Sequence, residues 1–253
     1  MPLQDSFTFV TKDPDWVKKI FIGAIVTAIP FFGAAASNGY QFEVIKNLIK
    51  RAPIPLPDWE DMGKMFANGF QLQLAIYALY IPGIILFVFG WFLSLRHIIE
   101  LVMMLYDVGH ENAAKMHIGF FLSEKIARFL LGVVLSLILP ISFLFVPAMV
   151  RRCAKYNSFA SAFNFCAHLK FILRHLGDYV LAFIAVFIVL FFFYSVSSVV
   201  GGVTLFIGGI GALLAWFGIA LGRFWSRMMW AYNLAEMELK TISNISIRDS
   251  AKK

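Results

Sequence analysis

The chain has 253 residues, of which 60% are hydrophobic, 17% aromatic and only 15% charged, against about a quarter charged in soluble domains. That balance excludes an ordinary water-soluble domain and makes a membrane the expected solvent. The formal charge of +7 invites nucleic acid as a partner. However, no long Lys/Arg block is present, and the basic residues stand beside apolar runs, as at the cytoplasmic ends of membrane spans.

Taken in chain order, the first feature is polar, Met1 to Trp16, and Lys18-Lys19 then mark a membrane boundary. Ala34-Ala35-Ala36 imitates a signal cleavage site. Asp5, Asp13 and Asp15 before it, and Pro30 within the apolar run, argue that the segment stays in the mature protein. From Ile20 to Phe42 there are 23 residues without formal charge. Two readings fit: one span kinked at Pro30, or a re-entrant pair of half-helices, tolerated only when packed against other helices. Between Gln41 and Arg51, Phe42, Ile45, Leu48 and Ile49 oppose a basic polar face, so an amphipathic helix along the headgroups is predicted. The run Pro53-Ile54-Pro55-Leu56-Pro57 should end it. Asp58 is then expected to cap a new helix, with Glu60 and Asp61 in its positive first turn.

The 31 uncharged residues between Lys64 and Arg96 predict one long span, bent near Pro82. Gln71 and Gln73 enter it two residues apart and cannot share a helical face. They sit at headgroup level or, with Tyr77, form the candidate polar pathway through the bundle. Ile98 to Tyr106 is too short to span alone and is expected to prolong that helix, with a turn at Asp107 to Asn112. Phe129 to Val150 adds 22 uncharged residues, a span kinked at Pro140 and Pro147. Lys155 to Leu176 reads as a second version of the earlier corner, opened by Asn157 or Ser158, which points to an internal duplication; repeat-built membrane proteins usually place a binding site where the halves meet.

Tyr179 to Gly222 is the most apolar stretch, 44 residues without Asp, Glu, Lys or Arg. At 1.5 Å per residue it can cross a ~30 Å hydrocarbon layer twice, and the small residues Ser197 to Gly202 mark the predicted tip. An aromatic and arginine girdle closes it. The expected membrane-interface anchors are Trp16, Trp59, Trp225, Trp230, Arg223 and Arg227. Residues 1–240 read as a single helical membrane domain and residues 241–253 as a polar tail. Strict alternation of five spans leaves seven Lys/Arg on one side and fifteen on the other, which places the C-terminus in the cytoplasm. A re-entrant first segment sharpens the split to four and eighteen. The expected fold is therefore an all-α, polytopic membrane helical bundle of about five spans, with amphipathic interfacial helices.

The segments Asp13-Pro14-Asp15-Trp16-Val17-Lys18-Lys19, Gly39-Tyr40, Leu56-Pro57-Asp58-Trp59-Glu60-Asp61 and Gly69-Phe70 resemble a bacterial and archaeal membrane family catalogued as domain of unknown function 4013. The similarity resumes at Pro147-Ala148-Met149, Ser161-Ala162-Phe163 and Gly177-Asp178-Tyr179. His97 to Ala127 departs from the pattern. The resemblance implies a multi-pass prokaryotic membrane protein in the plasma membrane and carries over no catalytic residue.

Chemistry-bearing constellations are sparse. Asp107, His110, Glu111 and His117 lack the helical spacing of a His-Glu-x-x-His zinc site. His168 and His175, seven apart, read as interfacial histidines, with haem or chlorin ligation as the alternative. Cys153 and Cys166 read as free thiols. Gly208-Gly209-Ile210-Gly211 reads as a packing surface for another helix. None of the uncharged segments contains the acidic or basic groups that pumps and antiporters place at membrane depth. No catalytic residue, cofactor or metal is expected. The expected partners are the lipid bilayer and other membrane subunits or a second copy, with no nucleic acid. A scaffold or accessory subunit is the leading reading. A transporter or lipid-handling protein using proline-broken helices is the alternative.

Overall fold

In a chain this apolar each backbone N–H and C=O has to find its partner within its own segment, which favours helix over open sheet. The computed structural model describes residues 3–30, 32–108, 118–204 and 209–250, and no strand occurs among them. The α-helices are α1 (Leu3–Thr8), α2 (Trp16–Ala28), α3 (Phe32–Ile49), α4 (Met62–Val108), α5 (Ile118–Tyr156), α6 (Phe165–Arg174), α7 (Leu176–Thr204) and α8 (Gly209–Ser250). Short 3-10 turns occupy Phe9–Lys12, Trp59–Asp61 and Phe159–Phe163. Two described segments, Trp59–Glu100 and Leu176–Gly202, are long and apolar enough to cross a membrane. Among the described residues two of the five expected spans are thus matched, while the segment around Pro30 is divided between α2 and α3.

Pro30 does break the first apolar segment. α2 ends at Ala28 and Ile29 turns extended. α3 then starts so close that a Cβ on Gly33 would lie 2.2 Å from the Val26 carbonyl oxygen. The interfacial helix predicted from Gln41 is not a separate element. It is the second half of α3, in which Phe42, Val44 and Ile45 are all buried. α3 is enclosed by α2, α4 and α8, so both its faces are covered and Val44, off the predicted stripe, is buried too. α3 ends one turn before the prolines: Arg51 takes a left-handed φ of 55°. Its N–H bonds to Leu48 O at 3.0 Å, and Ala52 N–H bonds to Asn47 O at 2.9 Å, the paired bonds of a Schellman stop.

Two further expectations are corrected. Asp58 precedes the 3-10 turn Trp59–Asp61 without any side-chain capping bond, since its carboxylate is engaged by Lys19. Asn157 ends α5 rather than opening a helix, because its φ of 49° suits the left-handed tolerance of asparagine. Asn164 is the cap of α6, its side chain accepting from Ala167 N–H at 3.1 Å. Pro82 does not interrupt α4, and α5 runs through Pro140 and Pro147. In a long helix one proline removes a single ladder bond and can bend the axis without ending the helix.

The chain divides into two compact units, residues 1–75 with 147–253 and residues 76–146. α4 and α5 each contribute a portion to both. In the first unit α7 and α8 form an antiparallel pair. Gly222 meets Phe193, Gly218 meets Ser197 and Gly201 meets Ala215, so residue numbers fall along one helix as they rise along the other. Gly218 and Gly222, four apart, let the backbones approach: a Cβ on either would sit 2.4 Å from the facing side chain. The predicted tip at Ser197 to Gly202 is helical. α7 continues to Thr204 and α8 begins at Gly209, because small residues lower helix propensity without forcing a turn when a facing helix supplies packing. The C-terminal tail expected from residue 241 is helical through Ser250, as nothing between Arg223 and Ser250 is Gly or Pro. In the second unit Gly132 packs on Gly90 O and Ser94, and Tyr80 meets Phe143 at 4.7 Å between ring centroids.

Candidate functional site

Motifs far apart in sequence converge in the first unit. Lys19, on the buried face of α2, donates from Nζ to Asp13 Oδ2 at 2.8 Å and to Leu56 O at 3.0 Å. It also pairs with Asp58 Oδ1 at 2.9 Å. Burial acts against the Lys19 ammonium, but the hydrogen bonds and charges of Asp13 and Asp58 outweigh it, and its pKa is raised above the usual lysine value. Trp59 closes the same corner. Its indole Nε1–H donates to Lys19 O at 3.0 Å, and its ring stacks on Tyr40 with centroids 4.4 Å apart. Phe224 of α8 completes the aromatic group, 5.3 Å from Tyr40. It fits only because Gly23 has no side chain: a Cβ there would lie 2.2 Å from the Phe224 ring.

Beside this corner α3 crosses α4 at backbone contact. A Cβ on Gly39 would lie 1.8 Å from Met65 O, and one on Gly69 the same distance from Ala35 O. One turn further along, Asn38 Nδ2 donates to Gln73 Oε1 at 2.6 Å, a polar clasp between the two helices.

A second cluster ties α5 to α8. Glu238 is fully buried, 0% exposed, and its carboxylate accepts from both Arg151 and Lys155. The Arg151 guanidinium lies over the Phe171 ring at 3.6 Å from its centroid, so α6 forms the floor of the cluster. His168 Nε2 donates to Ala162 O at 2.8 Å. Burial, aided by the Arg151 and Arg152 charges, lowers the His168 pKa and keeps the ring neutral. His175 Nε2 donates to Thr241 Oγ1 at 2.8 Å, and Lys240 pairs with Asp178 at 2.7 Å. The two histidines thus have separate protein partners at Nε2. Sequence reading missed Glu238. The signal was available, since Glu238 shares a helical stripe with the buried Ala231, Leu234 and Ala235, where an acid requires a cation opposite.

The other predicted site residues fall as follows. Trp16 meets Trp225 edge-on at 6.2 Å. Trp230 is 9% exposed and packs on Tyr179 and Phe183. Arg223 Nε donates to the Tyr194 hydroxyl at 2.9 Å, and Arg227 donates to Ser37 Oγ. Gln71, Gln73 and Tyr77 do not converge. Gln71 borders a surface cleft, Gln73 is held by Asn38, and Tyr77 is an exposed residue of the second unit. His110, Glu111 and His117 lie outside the described residues, as does Gly208.

Two clefts open on the first unit. One, of about 210 Å³, lies between Phe42, Asn68, Gln71, Cys153, Asn157 and Phe159. The other, of about 190 Å³, lies between Asp15, Lys18, Lys19, Asp58 and Trp59. Both fall below the ~300 Å³ at which enclosed small-molecule sites begin. Each has room for several waters.

Comparison with known proteins returns the family described as protein of unknown function DUF4013, which matches residues 22–202. No curated protein and no solved structure matches. The match covers α3, the Gly39 and Gly69 crossing, Asp58, Trp59 and Arg151, and since it spans well over half the sequence, the chain belongs to the DUF4013 family.

Proposed function

We propose that the chain is an integral protein of a prokaryotic plasma membrane. In this reading it is multi-pass, with about five crossings and a cytoplasmic C-terminus, and serves as a non-catalytic scaffold or accessory subunit of a membrane complex. The carrying observation is where the described polar and apolar groups go. Two buried charge clusters of the first unit are closed on themselves, Lys19 by Asp13 and Asp58, and Glu238 by Arg151 and Lys155, while Arg227 is held by the Ser37 hydroxyl. By contrast, large apolar side chains such as Phe187 and Phe191 of α7 and Ile85 and Phe92 of α4 face outward. An outward apolar belt suits lipid or a partner helix, while an interior locked by its own ion pairs supplies rigidity rather than turnover. Extraction in mild detergent followed by native mass spectrometry tests this reading. Co-purifying subunits or a defined oligomer are expected, and a monomer carrying nothing would refute it.

The transporter or lipid-handling reading keeps one specific support, the break at Pro30 beside the Asn38–Gln73 clasp. Substrate flux in proteoliposomes that is lost on Gln73→Leu would favour it over the scaffold.

A further inference from the structure

α6 buries one of its faces and leaves the other uncovered. Its inner face is committed: His168, Phe171 and Ile172 are buried. On the outer side Phe165, Leu169 and Leu173, spaced by four, are all exposed, and the stripe passes through Leu176 into the exposed Val180 and Ile184 of α7. α7 is one of the two segments apolar and long enough to cross a membrane. The exposed apolar surface of α6 is therefore continuous with the surface of a candidate span. Next to the stripe, one step further round the helix, stand Lys170 and Arg174, both exposed. From Asn157 to Gly177 there is no Asp or Glu. The nearest carboxylate in sequence, Asp178, is bound by Lys240 at 2.7 Å, and neither Lys170 nor Arg174 joins an ion pair with a described residue.

We propose that α6 is an interfacial helix that gathers anionic lipid. Its exposed apolar stripe enters the acyl layer, while Lys170 and Arg174 engage phosphate-bearing headgroups at the level where α7 enters the bilayer. The chemistry is that of a short amphipathic helix lying in the interface, with long basic side chains extending to the headgroups. Two unopposed cations give it a preference for negatively charged lipid. The inference rests on the membrane reading above and adds a lipid class to it.

The chain carries its own reporter. Of its two cysteines, Cys153 is buried and Cys166, on α6, is exposed. The full-length protein is labelled at Cys166 with bimane and reconstituted in phosphatidylcholine vesicles. Part of the host lipid is then replaced by brominated phosphatidylglycerol or, in parallel, by brominated phosphatidylcholine at equal mole fraction. Bromine quenches only a neighbouring fluorophore, so the two curves give the relative association of each lipid with α6. The expected result is stronger quenching by the anionic lipid. Lys170→Gln and Arg174→Gln should each reduce the preference about five-fold, Lys170→Arg should retain it, and molar salt should weaken it. Equal quenching by both lipids, or a preference unchanged in the Lys170→Gln/Arg174→Gln double variant, overturns the proposal and leaves the membrane reading standing. No quenching by either lipid overturns both.

Discussion

Replacing Glu238 by glutamine should strand a buried guanidinium. Arg151 is buried over the Phe171 ring, and the Glu238 carboxylate is the anion it is paired with. Glutamine keeps the size of the side chain and removes the charge, so the loss is electrostatic rather than a cavity. Lys155 also loses its partner but is about one-third exposed and can turn to solvent, where the pair is worth at most about 1 kcal/mol. Arg151 has no such exit. Removing one member of a buried pair costs about 3–5 kcal/mol. At about 2–4 °C per kcal/mol for a domain of this size the midpoint should fall by about 6–20 °C. Thermal unfolding of the reconstituted protein, followed by helical circular dichroism, reads this directly. The double variant Arg151→Met/Glu238→Met removes both charges together and should recover most of the loss, since apolar replacement of a whole buried pair is often neutral. A fall below about 2 °C for Glu238→Gln, or a double variant less stable than the single one, would refute the assignment of Glu238 as the anchor between α5 and α8.

The remaining predictions use the same assay. Gly39→Ala and Gly69→Ala place a methyl against a carbonyl oxygen and should each cost about 1–3 kcal/mol, whereas Gly63→Ala, with nothing within 4 Å of its Cβ, should be neutral or stabilise by up to about 1 kcal/mol; equal effects would refute the backbone-contact crossing of α3 and α4. Asp13→Asn, at a carboxylate 1% exposed, should cost about 3 kcal/mol, while Asp58→Asn, at one 69% exposed, should cost under about 1 kcal/mol; the reverse order would contradict the assignment of Asp13 as the principal partner of Lys19. Acid should loosen the α6 corner. The His168 pKa is held below its ordinary 6.5 by burial and the neighbouring arginines, so the unfolded chain takes up a proton first. Stability contributed above about pH 6.5 is therefore lost as the pH falls below it toward the depressed value. His168→Gln should flatten the pH dependence of the midpoint between pH 7.5 and 5, and an unchanged slope would refute the assignment.

Charge-free length and helical period determined a good deal: the all-helical class, the apolar helices α4 and α7 and the antiparallel α7–α8 pair, while for Pro30 they left a kink and a break both open. These are local properties, set by which residues adjoin which, and hydrophobic runs separated by charge report them directly. The family was legible as well, because its short motifs are contiguous. Tertiary structure decided the rest. Arg151 directly follows the uncharged run Phe129 to Val150 in sequence, yet Glu238, 87 positions away in the chain, makes it an internal anchor. Val44 looked like the misfit of an interfacial stripe until α3 was found covered on both faces. Asn157 and Asn164 offer the same capping chemistry, and only the backbone path selects 164 as cap and 157 as stop. Pairing, enclosure and helix termination depend on which segments meet in space, and a single sequence contains no direct record of that meeting.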